Sequence, residues 1–228
     1  LHVVYAPVNV PAMLPRINGL YVITRALSGG PEALANAVDQ AVAGGAVMVQ
    51  YREKNGDEAR REQEARAVLE TCRRRGVPLV INDDLDLARN IGADGVHLGR
   101  EDATARAARR ALGPHAIVGV SCYNELARAQ AAERAGASYV AFGSFFPSPT
   151  KPGAVRATPD LLREARERVS LPVCAIGGIT PANGGELVAA GADLLAVASG
   201  VFESGDILDA AERYAGLFRQ ASKSIRDA

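Results

Sequence analysis

The 228-residue sequence predicts a (β/α)8 barrel, the TIM-barrel architecture, in a single domain. Three observations carry that expectation. A short apolar run, a polar or glycine-containing stretch and a segment of helical periodicity follow one another eight times along the chain. The apolar runs are mostly continuous and rich in Val, Ile and Ala, as parallel strands covered on both faces should be. The first strand-to-helix turn, ITRALSGGP at 23–31, lacks the G-x-G-x-x-G that an open doubly wound sheet would usually carry there.

In order, strands are expected at 19–24, 46–51, 78–82, 95–98, 116–121, 139–142, 172–176 and 194–198. Helical patterns lie between and after them at 31–43, 57–75, 84–91, 102–112, 124–135, 158–169, 181–190 and 206–219. The repeat AGGA (43–46), IGAD (91–94), AGAS (135–138) and AGAD (190–193) marks four helix-to-strand turns, where glycine can take the left-handed conformation that closes a helix. Residues 1–18 read as an irregular N-terminal arm, 19–222 as the catalytic barrel and 223–228 as a tail.

Composition narrows the function classes. With 48% apolar and 23% charged residues the chain is an ordinary globular one. Twenty-six basic residues balance 26 acidic ones, so no broad field draws nucleic acid or anionic lipid. Cys72, Cys122 and Cys174 are odd in number and widely spaced, against a disulfide framework or zinc module and in favour of buried thiols in a reducing compartment. No apolar run approaches the ~20 residues of a membrane span. The opening lacks a basic n-region and carries prolines at 7, 11 and 15, so a signal peptide is not expected. A cytoplasmic enzyme acting on small molecules, with no nucleic-acid or membrane partner, is the expectation.

In a barrel of this kind chemistry gathers where strands run into helices. After the second strand, alternation puts Gln50, Arg52 and Lys54 on one face, a cationic set that an anion or a rim carboxylate would have to balance. After the third come Asn82, Asp83 and Asp84, with Asp84 read as a helix cap. The fourth ends in His97 and then Asp102, itself either a cap or a ligand. Carboxylates on adjacent loops suit Mg²⁺, which takes oxygen ligands and commonly bridges to phosphates. His97 reads as ligand-facing or as a satisfied barrel-layer residue. Ser121 ends the fifth strand and either donates to a phosphate oxygen or ties its own loop. The long loop after the sixth carries Ser148, Thr150 and Lys151 among three prolines, the pattern of a lid or binding loop. Gly177, Gly178 and Thr180-Pro181 after the seventh, the latter read as cap and first helical residue, join Ala198 and Ser199 after the eighth in a backbone phosphate site. Two anion sites without a nucleophile or strong base favour leaving-group departure.

The motifs QYREK (50–54), INDD (81–84), GVHLGRED (95–102), GVS (119–121), PSPTKPG (147–153) and AIGGI (175–179), in this order, make the chain resemble the thiamine-phosphate synthase family from Gly19 to about Phe202. The resemblance implies a transferase that joins a hydroxymethylpyrimidine diphosphate to a thiazole phosphate, releasing pyrophosphate, with Mg²⁺ required. It assigns Gln50, Arg52, Lys54, Asn82, Ser121 and Lys151 to the pyrimidine diphosphate, with Arg52, Lys54, Ser121 and Lys151 catalytic. Asp83 and Asp102 would hold Mg²⁺, and Ser148, Thr150, Gly178, Ala198 and Ser199 would line the thiazole phosphate site. Rival readings are a thiazole tautomerase-like isomerase and a non-catalytic thiazole-phosphate-binding relative. The tautomerase carries a histidine two residues after the serine of strand five; this chain has Tyr123, whose ordinary pKa of ~10 suits proton shuttling poorly.

Overall fold

The computed structural model describes residues 17–147, 153 and 155–226. Strands β1 (Gly19–Ile23), β2 (Ala46–Tyr51), β3 (Leu79–Asn82), β4 (Gly95–Leu98), β5 (Ile117–Tyr123), β6 (Tyr139–Gly143), β7 (Val173–Ile176) and β8 (Leu194–Val197) pair in parallel. They close in sequence order into a barrel, β8 returning to β1 through Gly19 opposite Leu194. Helices α1 (Gly30–Ala43), α2 (Glu58–Arg75), α3 (Leu85–Ile91), α4 (Ala105–Leu112), α5 (Leu126–Arg134), α6 (Pro159–Arg168), α7 (Gly184–Ala189), α8 (Ser199–Phe202) and α9 (Ile207–Arg226) follow the strands.

Alternation along each strand divides the core in two. Tyr21, Met48, Val80, Ile117, Tyr139 and Cys174 point inward and fill the barrel. Their neighbours, among them Leu20, Val49, Leu79, Val96, Val118 and Val140, point outward and meet the apolar faces of the helices.

The four-residue repeat closes helices as expected, with positive φ at Gly45, Gly92, Gly136 and Gly191. Its last position has a further role. Asp94 donates its N–H to Leu79 O (3.0 Å) and accepts Leu79 N–H on Oδ2 (2.8 Å). Ser138 does the same with Val118 (2.6 and 3.0 Å) and Asp193 with Val173 (2.8 and 2.8 Å). Each clamp ties the residue entering an even strand to the start of the odd strand before it, at the barrel's amino end. The side-chain acceptor satisfies an amide that opens a strand and lacks a ladder partner there.

Three local expectations need correction. Helix α4 is capped by Thr104, whose Oγ1 accepts Ala107 N–H at 3.2 Å, and starts three residues after 102. Asp102 is therefore not its cap. Thr180-Pro181 do not open α7: Thr180 and Asn183 exchange side-chain-to-amide bonds of 2.7 and 3.3 Å, closing a turn that delays the helix to Gly184. The short α8 was not foreseen, and α9 continues past the expected stop at 219. The cap assigned to Asp84 holds, with Oδ1 accepting Leu87 N–H at 2.9 Å.

Candidate active site

At the carboxyl end of β2, Gln50 and Tyr51 point to opposite sides, as alternation requires. Tyr51 faces the helices and donates to Glu64 (2.9 Å). Gln50 is buried and donates its amide hydrogen to the Tyr21 hydroxyl. Thr24 ties the ends of β1 and β2 together, its N–H bonding Gln50 O (2.8 Å) and its Oγ1 accepting Arg52 N–H (2.9 Å). Lys54 lies beyond the strand and brings Nζ to 3.8 Å from Asp83 Oδ2.

The acidic pair comes from the ends of β3 and β4. Asp83 sits at φ 63°, in the left-handed region that Asp tolerates better than most residues. That turn lets Asp84 cap α3 while Asp83 turns to the barrel mouth. Asp83 N–H bonds His97 O (2.8 Å), and Asn82 Nδ2 donates to Asp83 Oδ2 (2.6 Å). Asp102 is fixed by Gly99 N–H, 2.5 Å from Oδ2, and its carboxyl meets that of Asp83. Burial, then the hydrogen bond and charge of Asp102, push Asp83 above the usual carboxylate range, against the opposing pull of Lys54 and Asn82. Two carboxyls so placed favour a cation between them. Among the described residues no cluster of three or more His, Cys, Asp or Glu forms a metal cage. A two-carboxylate site suits an ion that draws its other ligands from water and substrate oxygens, as Mg²⁺ does.

Ser121, at the end of β5, accepts or donates a 2.9 Å bond with His97 Nε2, while His97 Nδ1 meets the Tyr139 hydroxyl at 2.8 Å. Tyr139 in turn lies 2.9 Å from the Tyr21 hydroxyl. His97 is thus a barrel-layer residue with both ring nitrogens engaged. Tyr139 stacks on His97, with ring centroids 5.6 Å apart, and fills the space that a side chain on Gly119 would occupy; a Cβ there would lie 2.1 Å from its ring. Just beyond, Arg128 bonds Ser121 O (2.7 Å) and Gly99 O (3.1 Å), holding the ends of β4 and β5 together. The guanidinium of Arg100 lies over the Tyr123 ring, 4.9 Å from its centroid.

After β7, Gly177 and Gly178 have φ 106° and 64°. A Cβ on Gly177 would sit 2.1 Å from Ser144 Oγ, and one on Gly178 2.4 Å from Pro147 O. The loop after β6 therefore packs directly on these glycines, and its base is pinched where Ser144 bonds Val155 and Ala157 through its backbone (2.9 and 3.0 Å). Ala198 precedes α8 and Ser199 begins it, with no side-chain cap on the first turn. Ser148, Thr150 and Lys151 lie outside the described residues.

The structure thus sets Lys54, Asn82 and Asp102 about Asp83, and joins Gln50 to Ser121 through Tyr21, Tyr139 and His97. Sequence reasoning missed Tyr21, Tyr139 and Thr24. The signal was present for the tyrosines, since both share the inward parity of their strands.

A family model described as thiamine monophosphate synthase matches residues 20–201. A thiamine-phosphate synthase of Thiobacillus denitrificans is 54% identical over 200 residues, 88% of this chain and 94% of that protein. One from an Azoarcus species is 51% identical over 203 residues, 89% of this chain and 98% of that one. The solved thiamine phosphate pyrophosphorylase of Pyrococcus furiosus superposes with a TM-score of 0.79 at 32% identity, covering 90% of this chain and 96% of its own. Other phosphate-handling barrels, such as a 3-hexulose-6-phosphate synthase at 20% identity and a TM-score of 0.66, share the fold alone. On a match of this extent and identity, the chain belongs to the thiamine monophosphate synthase family.

Proposed function

We propose that this chain is a transferase that makes thiamine monophosphate. It would join 4-amino-5-hydroxymethyl-2-methylpyrimidine diphosphate to 4-methyl-5-(2-hydroxyethyl)thiazole phosphate and release pyrophosphate. The observation that carries the reading is the meeting of Asp83 and Asp102 with Lys54 3.8 Å from Asp83. A diphosphate with its cation needs such a mixed site, carboxylates for the ion and cations for the anion.

Asp83 and Asp102 would hold Mg²⁺, which when bound neutralises charge on the departing diphosphate. Lys54, Arg52 and Lys151 supply positive charge to the same group, and with Ser121, Gln50 and Asn82 they would hold the pyrimidine diphosphate. Such positioning and charge neutralisation support a dissociative course: pyrophosphate departs first, and the thiazole nitrogen then attacks the pyrimidine methylene carbon. Gly178, Ala198 and Ser199, with Ser148 and Thr150, would receive the thiazole phosphate. The tautomerase reading needs an acid–base group where Tyr123 stands, a ring that carries the guanidinium of Arg100 over its face. No helix among the described residues is long and apolar enough to cross a membrane.

The test is an assay with both substrates and Mg²⁺, following pyrophosphate and thiamine phosphate by mass. Product that vanishes with EDTA and with Lys151→Ala supports the assignment. No product from folded protein that still binds thiazole phosphate overturns it.

A further inference from the structure

Five side chains form an unbroken polar line through an otherwise apolar barrel: Gln50, Tyr21, Tyr139, His97 and Ser121. Tyr21 and Tyr139 are 1% and 2% exposed, and burial keeps both phenols protonated far above neutral pH. Each therefore contributes one hydrogen, and the direction of the line can be counted. The amide nitrogen of Gln50 donates to the Tyr21 hydroxyl, so a line that uses every hydrogen has Tyr21 donate to Tyr139, 2.9 Å away. Tyr139, already accepting, donates to His97 Nδ1 at 2.8 Å. Nδ1 is then an acceptor, so the neutral ring carries its hydrogen on Nε2 and donates to Ser121 Oγ at 2.9 Å. Ser121 accepts from behind and keeps its own hydrogen for an acceptor in the site.

From this we infer that Tyr21, Tyr139 and His97 are positioning residues, a one-way hydrogen-bond chain that fixes Ser121 as a donor to an anionic substrate oxygen. The inference rests on the proposed reading of Ser121 as a diphosphate contact. It is the same logic by which an outer partner sets the tautomer of a metal-bound histidine. Reversing the line would make Ser121 donate to Nε2 and offer only lone pairs to an anion.

The test uses the full chain labelled with ¹⁵N-histidine, in which a long-range ¹H–¹⁵N correlation reads the tautomer of His97. His97→Gln identifies the resonance. The Nε2–H form is expected in the wild type, and the Nδ1–H form in an active enzyme overturns the inference without any variant. A chain that makes no thiamine phosphate overturns instead the functional reading, and with it the ligand given to Ser121. Kinetics then test the coupling. Tyr139→Phe keeps the ring and should lower kcat/KM for the pyrimidine diphosphate about five- to tenfold, the worth of one oriented hydrogen bond. In a Ser121→Ala background the same change should cost less than about twofold, because its effect passes through that hydroxyl. Equal costs in both backgrounds would mean that Tyr139 only fills space. Should Tyr139→Phe fail to fold, His97→Gln and His97→Asn decide: the glutamine amide can still donate to Ser121, whereas asparagine can reach only Tyr139. The glutamine variant should keep activity within about threefold and the asparagine variant lose about tenfold; the reverse order refutes the chain.

Discussion

Lys54 Nζ stands 3.8 Å from Asp83 Oδ2, although the two residues come from different strand ends and Lys54 is largely exposed. Each is the other's counter-charge until a ligand arrives. Asp83→Asn should leave the barrel folded and lower turnover by about 10²- to 10⁴-fold. Mg²⁺ should raise the melting temperature of the wild type and leave that of the variant unchanged. Thermal scans with and without the ion check the second effect separately from catalysis.

Gly119→Ala tests the interior directly. Its methyl would lie 2.1 Å from the Tyr139 ring, so the ring must move or the strand must shift. A loss of about 1–3 kcal/mol in urea unfolding is expected, the usual cost of overpacking a core.

Asp193→Ala removes the side-chain acceptor of Val173 N–H and the partner of Arg166, 2.8 Å away. Both lie at the amino end, away from the site. Stability should fall by about 1–3 kcal/mol, the cost of an unmade buried hydrogen bond. KM for either substrate should stay unchanged in steady-state assays.

Burial pushes the thiols of Cys72 and Cys122 up to about 12, and that of Cys174 higher still. At pH 8 the thiolate fraction is then on the order of 10⁻⁴ or less. Iodoacetamide should label none of the three in folded protein and all three after denaturation, as read by intact mass.

The Arg75 guanidinium grips Asp39 with two bonds (2.8 and 2.5 Å) and holds its carboxyl below the usual range. A depressed folded value means the pair's contribution is complete above about pH 4 and is lost as pH falls through that lower value. The pair lies at the surface, so Asp39→Asn should cost no more than about 1 kcal/mol at pH 7 and nothing once the carboxyl is protonated. Urea titrations at pH 7 and pH 3 measure the difference.

Much of this molecule was legible from its sequence, for physical reasons. Strand ends betray themselves where an apolar run meets a polar step, as at Ile81-Asn82-Asp83, because burial stops there, whereas β5 runs past the expected stop at Ser121, through buried Cys122, to Tyr123. Asp102 was harder. It lies two residues before Thr104, both can cap a helix, and only the path of the backbone chooses between them. Tyr21 and Tyr139 lie in apolar strand runs, and their rings are core. Only the hydroxyl at each tip joins the polar line, and no periodicity reports the direction in which one oxygen points. The four residues of α8 are too few for a helical period. The repeat ending in Asp94, Ser138 and Asp193 was visible as turn punctuation, while its clamp needed the partner strand in view.

Those clamps also divide the labour of the barrel between its poles. Three of the four odd–even strand pairs are latched at the amino end by a residue that touches no part of the site. Ring closure is thereby insulated from whatever the opposite pole carries. The loops there are, in effect, exchangeable parts on a chassis fastened from below. Transplanting the segment after β6 from a relative with a different substrate should change what the enzyme accepts before it changes whether the protein folds.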